Sequence, residues 1–390
     1  MNILFYMHKY PSYGGIERVT TYLANYLVKR NCGIDIYSFE GVDHDLLLSS
    51  IDTRISYTAA VNSENLLCNT NYEQLKNLVI SKKINYIIFQ DSYALIENLL
   101  WRLKKEVNGI RIIEVEHNTP DAFLKALKYK QTFSLCDWFR KIILYPYHWI
   151  KISYAVKRRH KDIYLHTDKY VLLSWNFKKI FKKVSGIKDE TKLCAINNPI
   201  TVKTNQTINW DNKKNICLFP ARLVKQKGVG LLMEIWKCIE HKEQNWQLLI
   251  VGDGPEREYI ENFIVKNNLC NVKLEGFKDN MISYYETASI LLATSIYEGW
   301  LLTLGESMAY GVVPIAFDSY LAVNDIIENN NNGYLIPAFN IDTYVDKLLY
   351  LMNNNSTRKE LGEQAFRSSN KYNIDSIGSQ WMNFLSNFDE

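Results

Sequence analysis

The sequence predicts an α/β protein of two domains, each a parallel sheet with helices packed against it. Three observations carry this. The chain has 390 residues, too many for one core and suited to two domains of about 200 residues each. Short apolar runs that read as buried strands alternate, in both halves, with stretches whose apolar residues recur at helical spacing. Between the halves TVKTNQTINWDNKKN (201–215) is polar and aperiodic, which puts the boundary near 200. The expected division is 1–198, 199–370 and a terminal helix within 371–390.

Bulk properties exclude several function classes. The net charge of +4 is too mild to imply a nucleic-acid partner. Cys32, Cys68, Cys136, Cys194, Cys217, Cys238 and Cys270 are scattered, with no C-x-x-C pair. That pattern suits reduced thiols in a cytoplasmic chain rather than a disulfide frame or a zinc site. The opening MNILFYMHKYP is too short an apolar run for a signal peptide. No run reaches the ~18 apolar residues that a membrane span requires.

In the first half, residues 2–8 read as a strand and Pro11 to Gly15 as a turn. IERVTTYLANYLVKR follows, with Ile16, Val19, Leu23, Tyr26 and Leu27 on one helical face. IDIYSF then reads as a second strand, completing a right-handed βαβ unit. Gly14 and Gly15 let backbone approach a ligand, and the helix N-terminus after them favours phosphate. The plain alternative is a turn and nothing more. Asp43-His44-Asp45 has the form of an Asp-x-Asp metal site, set against a loop entering a helix. INYIIFQ (84–90) and GIRIIEVEHN (109–118) are buried strands. His117 stands at the C-terminal end of the second, the edge where sites form in such sheets. Residues 60–80 show little pattern. Residues 133–163 interleave bulky apolar side chains with Lys and Arg and end in Lys157-Arg158-Arg159-His160-Lys161. This composition suits either an anionic membrane surface or a helix with a solvated basic face. KYVLLS (169–174) and LCAINNPI (193–200) close the half.

In the second half NICLFP (215–220) is a strand, followed by Arg222 and then Lys227-Gly228 at the start of a helix. Two cations beside a helix N-terminus suit a leaving diphosphate without a metal; the alternative is two surface charges. WQLLIVGDGPERE (246–258) runs from a strand into a Gly-x-Gly turn. Pro255 and the lack of a third glycine at the proper spacing argue against a dinucleotide fold. NVKLEGF and SILLATS are further strands. Glu298-Gly299 lies just past the second, in the turn that opens a helix, and Glu306 follows after seven intervening residues. The two carboxylates stand ~12 Å apart along the helix, so they suit two parts of one long ligand. Leu301, Leu302, Leu304, Met308 and Ala309 form the packed face, and VVPIAF is the next strand. Asp342 is the expected cap of a helix through about Met352, with two more helices over about 356–370 and 373–387.

The run Glu298-Gly299-Trp300, Glu306, Gly311 and Val313-Pro314-Ile315 resembles the donor-site signature of glycosyltransferase family 4, the retaining family with the GT-B fold. Leu301 stands where the family usually has Pro, and Ser307 where it has Ala; both departures touch stiffness and packing, not the carboxylates. The resemblance covers nearly the whole chain and is strongest over 216–337. It implies two Rossmann-like domains whose parallel sheets face across a cleft. It also implies a terminal helix that crosses back to the first domain, with Trp381 and Phe384 as anchors. By the same resemblance Arg222 and Lys227 grip the donor diphosphate, Glu298 the sugar and Glu306 the ribose. His117 touches the donor sugar, and Gly14-Gly15 face the phosphates. Gly276, Phe277 and Lys278 align with the base-contacting loop, and Gly299, Trp300, Leu301 and Leu302 continue the donor-binding turn.

The implied reaction is retaining and metal-independent, with no cofactor beyond the nucleotide sugar that is its substrate. A UDP-sugar is the default donor and GDP-mannose the alternative. The expected acceptor is a saccharide or lipid-linked saccharide, in bacterial capsule, O-antigen or exopolysaccharide assembly, with peripheral contact to the inner face of an anionic membrane. Two rivals remain: a sugar-nucleotide epimerase on the same architecture, and a non-catalytic sugar-nucleotide-binding subunit.

Overall fold

A computed structural model describes the chain except for residues 41–48, 91–94, 129–134, 205–206 and 389–390, and the side chains of 135–145. The Asp43-His44-Asp45 stretch therefore lies outside the described residues, as does part of the basic-aromatic segment. The chain forms two compact units, Met1–Pro199 with Ile374–Glu390, and Ile200–Asn373.

The first unit is built on a seven-stranded sheet in the order β3-β2-β1-β4-β5-β6-β7. Its strands are β1 (Asn2–Lys9), β2 (Gly33–Glu40), β3 (Ser56–Ala59), β4 (Tyr86–Phe89), β5 (Arg111–Glu116), β6 (Lys169–Leu172) and β7 (Leu193–Ala195). Every pairing is parallel. Parallel strands require crossover connections, and strands buried on both faces, such as β4 and β5, read as near-continuous apolar runs. The crossovers include α1 (Gly15–Val28), α2 (Asn69–Ser81), α3 (Glu97–Glu106), α4 (Ala122–Lys128), α5 (Leu135–His166) and α6 (Lys178–Ser185).

The second unit has a six-stranded parallel sheet in the order β10-β9-β8-β11-β12-β13. Its strands are β8 (Ile216–Pro220), β9 (Gln247–Val251), β10 (Val272–Gly276), β11 (Ile290–Ala293), β12 (Val313–Asp318) and β13 (Tyr334–Pro337). Its helices are α7 (Val229–Glu240), α8 (Arg257–Lys266), α9 (Ile282–Thr287), α10 (Leu302–Met308), α11 (Val323–Ile326), α12 (Ile341–Asn353) and α13 (Asn355–Ser369). The core holds Leu232, Trp236, Leu248, Ile250, Ile290, Ile315 and Leu348. Helix α12 is capped by Asn340, whose side chain accepts from the Thr343 amide at 3.0 Å. Asp342 is instead a first-turn acid, where it meets the helix dipole favourably.

The last helix, α14 (Ile374–Ser386), belongs to the first unit and packs on α1. Gly378 lies flat against the Tyr26 ring, and the Tyr26 hydroxyl is 2.8 Å from Ser379 Oγ. Trp381, Leu385 and Phe388 are buried, whereas Phe384 is half-buried.

Each sheet has one place where the strand order reverses direction, between β1 and β4 and between β8 and β11. Ligands of open α/β sheets bind outside the carboxyl ends of the strands at such points.

Candidate active site

In the second unit the switch point gathers the loops after β8 and β11. After Pro220 the chain exposes Arg222 and buries Leu223. A short 3-10 turn, Lys225–Lys227, then leads to Gly228 and into α7. Gly228 has φ +68° and lies so close to the β11 loop that a Cβ there would sit 1.9 Å from the Thr294 carbonyl oxygen. Thr294 Oγ1 is hydrogen-bonded to the carbonyls of Lys227 (2.9 Å) and Gly228 (3.1 Å). The Ile296 amide donates to the Gln226 carbonyl at 2.8 Å, and Gln226 Nε2 donates to the Tyr297 carbonyl at 2.9 Å. These bonds sew the two loops together and bring Lys227 Nζ to 2.6 Å from Glu298 Oε1. Glu298 is 7% exposed, so this ion pair is largely out of water. The first turn of α7 carries no acidic residue of its own, so nothing within the helix offsets its positive dipole end.

Neighbouring loops brace this arrangement. Gly252, at the end of β9, is close enough to the Arg222 loop that a Cβ would lie 2.0 Å from the Ala221 carbonyl oxygen. The Leu223 amide donates to the Asp253 carbonyl, and the Glu256 amide to the Leu223 carbonyl, both at 2.9 Å. The glycines of this turn thus serve backbone packing, in keeping with the weakness of the dinucleotide reading. The Gly252 amide in turn donates to the Gly276 carbonyl at 2.8 Å. That sets Gly276, with exposed Phe277 and Lys278, on the same edge of the sheet.

The turn after Glu298 continues as Gly299, Trp300 and Leu301, all buried, and Leu302, half-buried. Trp300 meets the Tyr372 ring edge-on, with centroids 5.2 Å apart. Glu306 is 1% exposed. One of its oxygens accepts from Tyr285 OH at 2.7 Å and the other from Thr201 Oγ1. A carboxylate offers about four acceptor positions, so two remain, but both oxygens already have protein donors. Glu306→Ala is expected to strand the Tyr285 and Thr201 hydroxyls and cost about 1–3 kcal/mol of stability, besides weakening any ribose contact. Urea unfolding checks the first effect and nucleotide titration the second. Wild-type stability would show that these bonds carry nothing.

The first unit holds the remaining expected residues. Gly14 caps α1, and its missing Cβ makes room for the Glu17 carboxylate. Glu17 sits in the first turn of that helix, so an acid side chain already lies at the N-terminus expected to face phosphate. Gly15 is the first residue of α1 and is exposed. His117 follows β5, and its Nε2 is hydrogen-bonded to Gln90 Oε1 from the end of β4. With Oε1 as acceptor, Nε2 carries the proton and Nδ1 remains an acceptor. Burial pulls the His117 pKa from 6.5 down to about 3. The ring is therefore neutral throughout the physiological range. The unfolded chain binds a proton below about 6.5 and the folded one does not until about 3. This group's contribution to stability is thus complete above pH 6.5 and falls as the pH drops. Imidazole NMR between pH 5 and 8 should show no titration of His117; a midpoint near 6.5 would contradict this environment.

Sequence reasoning missed Gln90, Thr201 and Tyr285. Gln90 reads as the last residue of an apolar run, Thr201 lies in the aperiodic boundary segment, and Tyr285 is one tyrosine among 26. Among the described residues, no group of three or more His, Cys, Asp and Glu side chains is placed to hold a metal.

Comparison with known proteins bears on the whole chain. The family model described as "Glycosyl transferases group 1" matches residues 203–368, and that described as "Glycosyltransferase Family 4" matches 13–203. An uncharacterized glycosyltransferase of Haemophilus influenzae is 25% identical over 386 residues, covering 98% of this chain and 99% of the relative. The amylovoran biosynthesis glycosyltransferase of Erwinia amylovora is 24% identical over 381 residues, 96% of each chain. Among solved structures, Staphylococcus aureus TarM superposes with a TM-score of 0.74 at 17% identity, over 98% of this chain and 99% of that one. Between them the two family models run from residue 13 to residue 368, across the paired Lys227 and Glu298 and every strand but β1. The chain belongs to the group 1, family 4 glycosyltransferases and is a transferase with the GT-B fold.

Proposed function

We propose that the protein transfers a sugar, with retention at the anomeric carbon and without a metal, from a nucleoside diphosphate sugar to an acceptor hydroxyl. The observation that carries this is the Lys227–Glu298 pair at the β8/β11 switch point, beside the N-terminus of α7. A ligand with a diphosphate and a sugar splits that pair usefully. Lys227 and Arg222 turn to the phosphate oxygens, and the released Glu298 accepts from sugar hydroxyls. As the bond between C1 and the β-phosphate oxygen breaks, the two cations and the helix dipole stabilise the leaving charge. The acceptor oxygen bonds C1 on the same face, and its proton passes to a β-phosphate oxygen. Glu306 serves the ribose, Gly276 to Lys278 the base, and neutral His117 a sugar hydroxyl.

UDP is the preferred nucleotide. The TarM complex contains UDP and alpha-GlcNAc-glycerol, which supports a nucleotide-sugar donor and a saccharide-type acceptor here. The relative in amylovoran biosynthesis supports a place in bacterial polysaccharide assembly. A lipid-linked acceptor at the cytoplasmic face of the membrane fits the exposed Tyr147, Trp149, Ile150 and Tyr154 of α5, interspersed with Lys151, Lys157, Arg158 and Lys161. No helix among the described residues is long and apolar enough to cross a membrane. The cysteines of the described residues are free thiols, in keeping with a reducing compartment.

The test is incubation with UDP- and GDP-sugars in EDTA, with and without lipid-linked saccharides, read by anomeric NMR. Transfer with retention only when acceptor is present is the expected result. Conversion of the nucleotide sugar without acceptor would establish the epimerase instead. Co-sedimentation with anionic liposomes at low salt is expected as well, and its absence would remove the membrane contact.

A further inference from the structure

Tyr320 lies on the loop just past β12, and β12 pairs with β11. Its loop is tied to the loop that carries Glu298, since Ser319 Oγ donates to the Ser295 carbonyl at 2.5 Å. Tyr320 is 3% exposed, and its hydroxyl has no hydrogen-bond partner among the described residues. Four other buried tyrosines of the same unit have partners. Tyr285 donates to Glu306, Tyr310 to the Lys203 carbonyl, Tyr344 to the Ile315 carbonyl and Tyr372 to the Asp325 carbonyl. A buried hydroxyl without a partner costs stability, and phenylalanine would fill the same space without that cost. Burial first, and then the nearby charge of Glu298, hold the Tyr320 pKa well above 10. The hydroxyl is therefore a donor at any pH at which the enzyme works.

We propose that Tyr320 is a specificity-determining residue for the donor sugar, its hydroxyl kept for the same sugar hydroxyl that Glu298 accepts from. The chemistry of the two groups is complementary. A carboxylate only accepts, a phenol readily donates, and a sugar hydroxyl placed between them does both. When Lys227 turns from Glu298 to the diphosphate, the carboxylate and the phenol frame one hydroxyl position. The ligand class is a nucleoside diphosphate sugar with a free hydroxyl there, so a deoxy or O-substituted sugar at that carbon is rejected. This assignment rests on the donor site proposed above.

Tyr320→Phe separates it from a packing role. The probes are UDP, GDP and the nucleotide sugar turned over fastest in a panel of UDP- and GDP-hexoses. The variant should melt at or above the wild-type temperature and bind the free nucleoside diphosphate as the wild type does. Its kcat/KM for the intact donor should fall by about 10- to 100-fold, the range of one buried hydrogen bond. A donor analogue deoxygenated at the contacted carbon should be a poor substrate for the wild type and lose nothing further in the variant. Wild-type kcat/KM would overturn the assignment. So would a lowered melting temperature with nucleotide and donor weakened equally, since the hydroxyl would then be structural. A wild type that binds no nucleoside diphosphate would sink the donor site itself, and this assignment with it.

Discussion

Lys227→Met is expected to lower kcat by about 10³-fold, the loss seen when a preorganised charge-stabilising group is removed from a transition state. The same change leaves Glu298, 7% exposed and at 2.6 Å from the lost ammonium, without its cation. That should cost about 1–3 kcal/mol of stability. The two effects are separable. Adding Glu298→Gln removes the stranded charge, so the double variant should regain much of the stability while activity stays lost. Double-mutant-cycle analysis of urea unfolding and of turnover provides the check. If stability and activity recover together, the pair is a structural ion pair and not part of the catalytic machinery.

Gly228→Ala should have the largest effect on folding. The residue has φ +68°, a conformation that costs a side-chain-bearing residue about 1–2 kcal/mol. Its new Cβ would also meet the Thr294 carbonyl oxygen at 1.9 Å and the carbonyl carbon at 2.8 Å. Backbone cannot yield as a flexible side chain does, so the loop carrying Lys227 must move. The expected total is about 2–5 kcal/mol, with nucleotide affinity lost in parallel. Gly109→Ala is the internal control, because Gly109 has φ +85° and nothing within 4 Å of a built Cβ. It should cost only the conformational part, about 1 kcal/mol. Equal melting of the two variants would show that the close contact with Thr294 is readily relieved.

Much of this was legible in the sequence, and the residues show why. Strands β4, β5, β8, β11 and β12 are buried on both faces, so their apolar runs announced them. Residue order alone put Glu298 and His117 at strand ends. Strand β3 was not legible: it is four half-buried residues at a sheet edge, with neither an apolar run nor alternation. Helix α2 lies in Asn-rich sequence, its buried face resting on Asn71, Tyr72, Leu75 and Val79. The partnerships were less legible still. Lys227 and Glu298 are 71 positions apart and Thr201 and Glu306 are 105 apart. Strand order decides such pairings, and local pattern carries no record of it. Tyr320 looks like any aromatic residue until its hydroxyl is found buried and without a partner.

We propose that the second unit holds a nucleoside diphosphate through cations rather than through a metal. The most direct test is thermal unfolding in EDTA with UDP, GDP and their sugars, for the wild type and for Lys227→Met. Metal-independent stabilisation of the wild type by one nucleotide series is expected, about 2.7 kcal/mol at 100 times the dissociation constant, with its loss in the variant. A shift that requires magnesium and survives in Lys227→Met would rule out diphosphate binding by these cations, as would no shift with any nucleoside diphosphate.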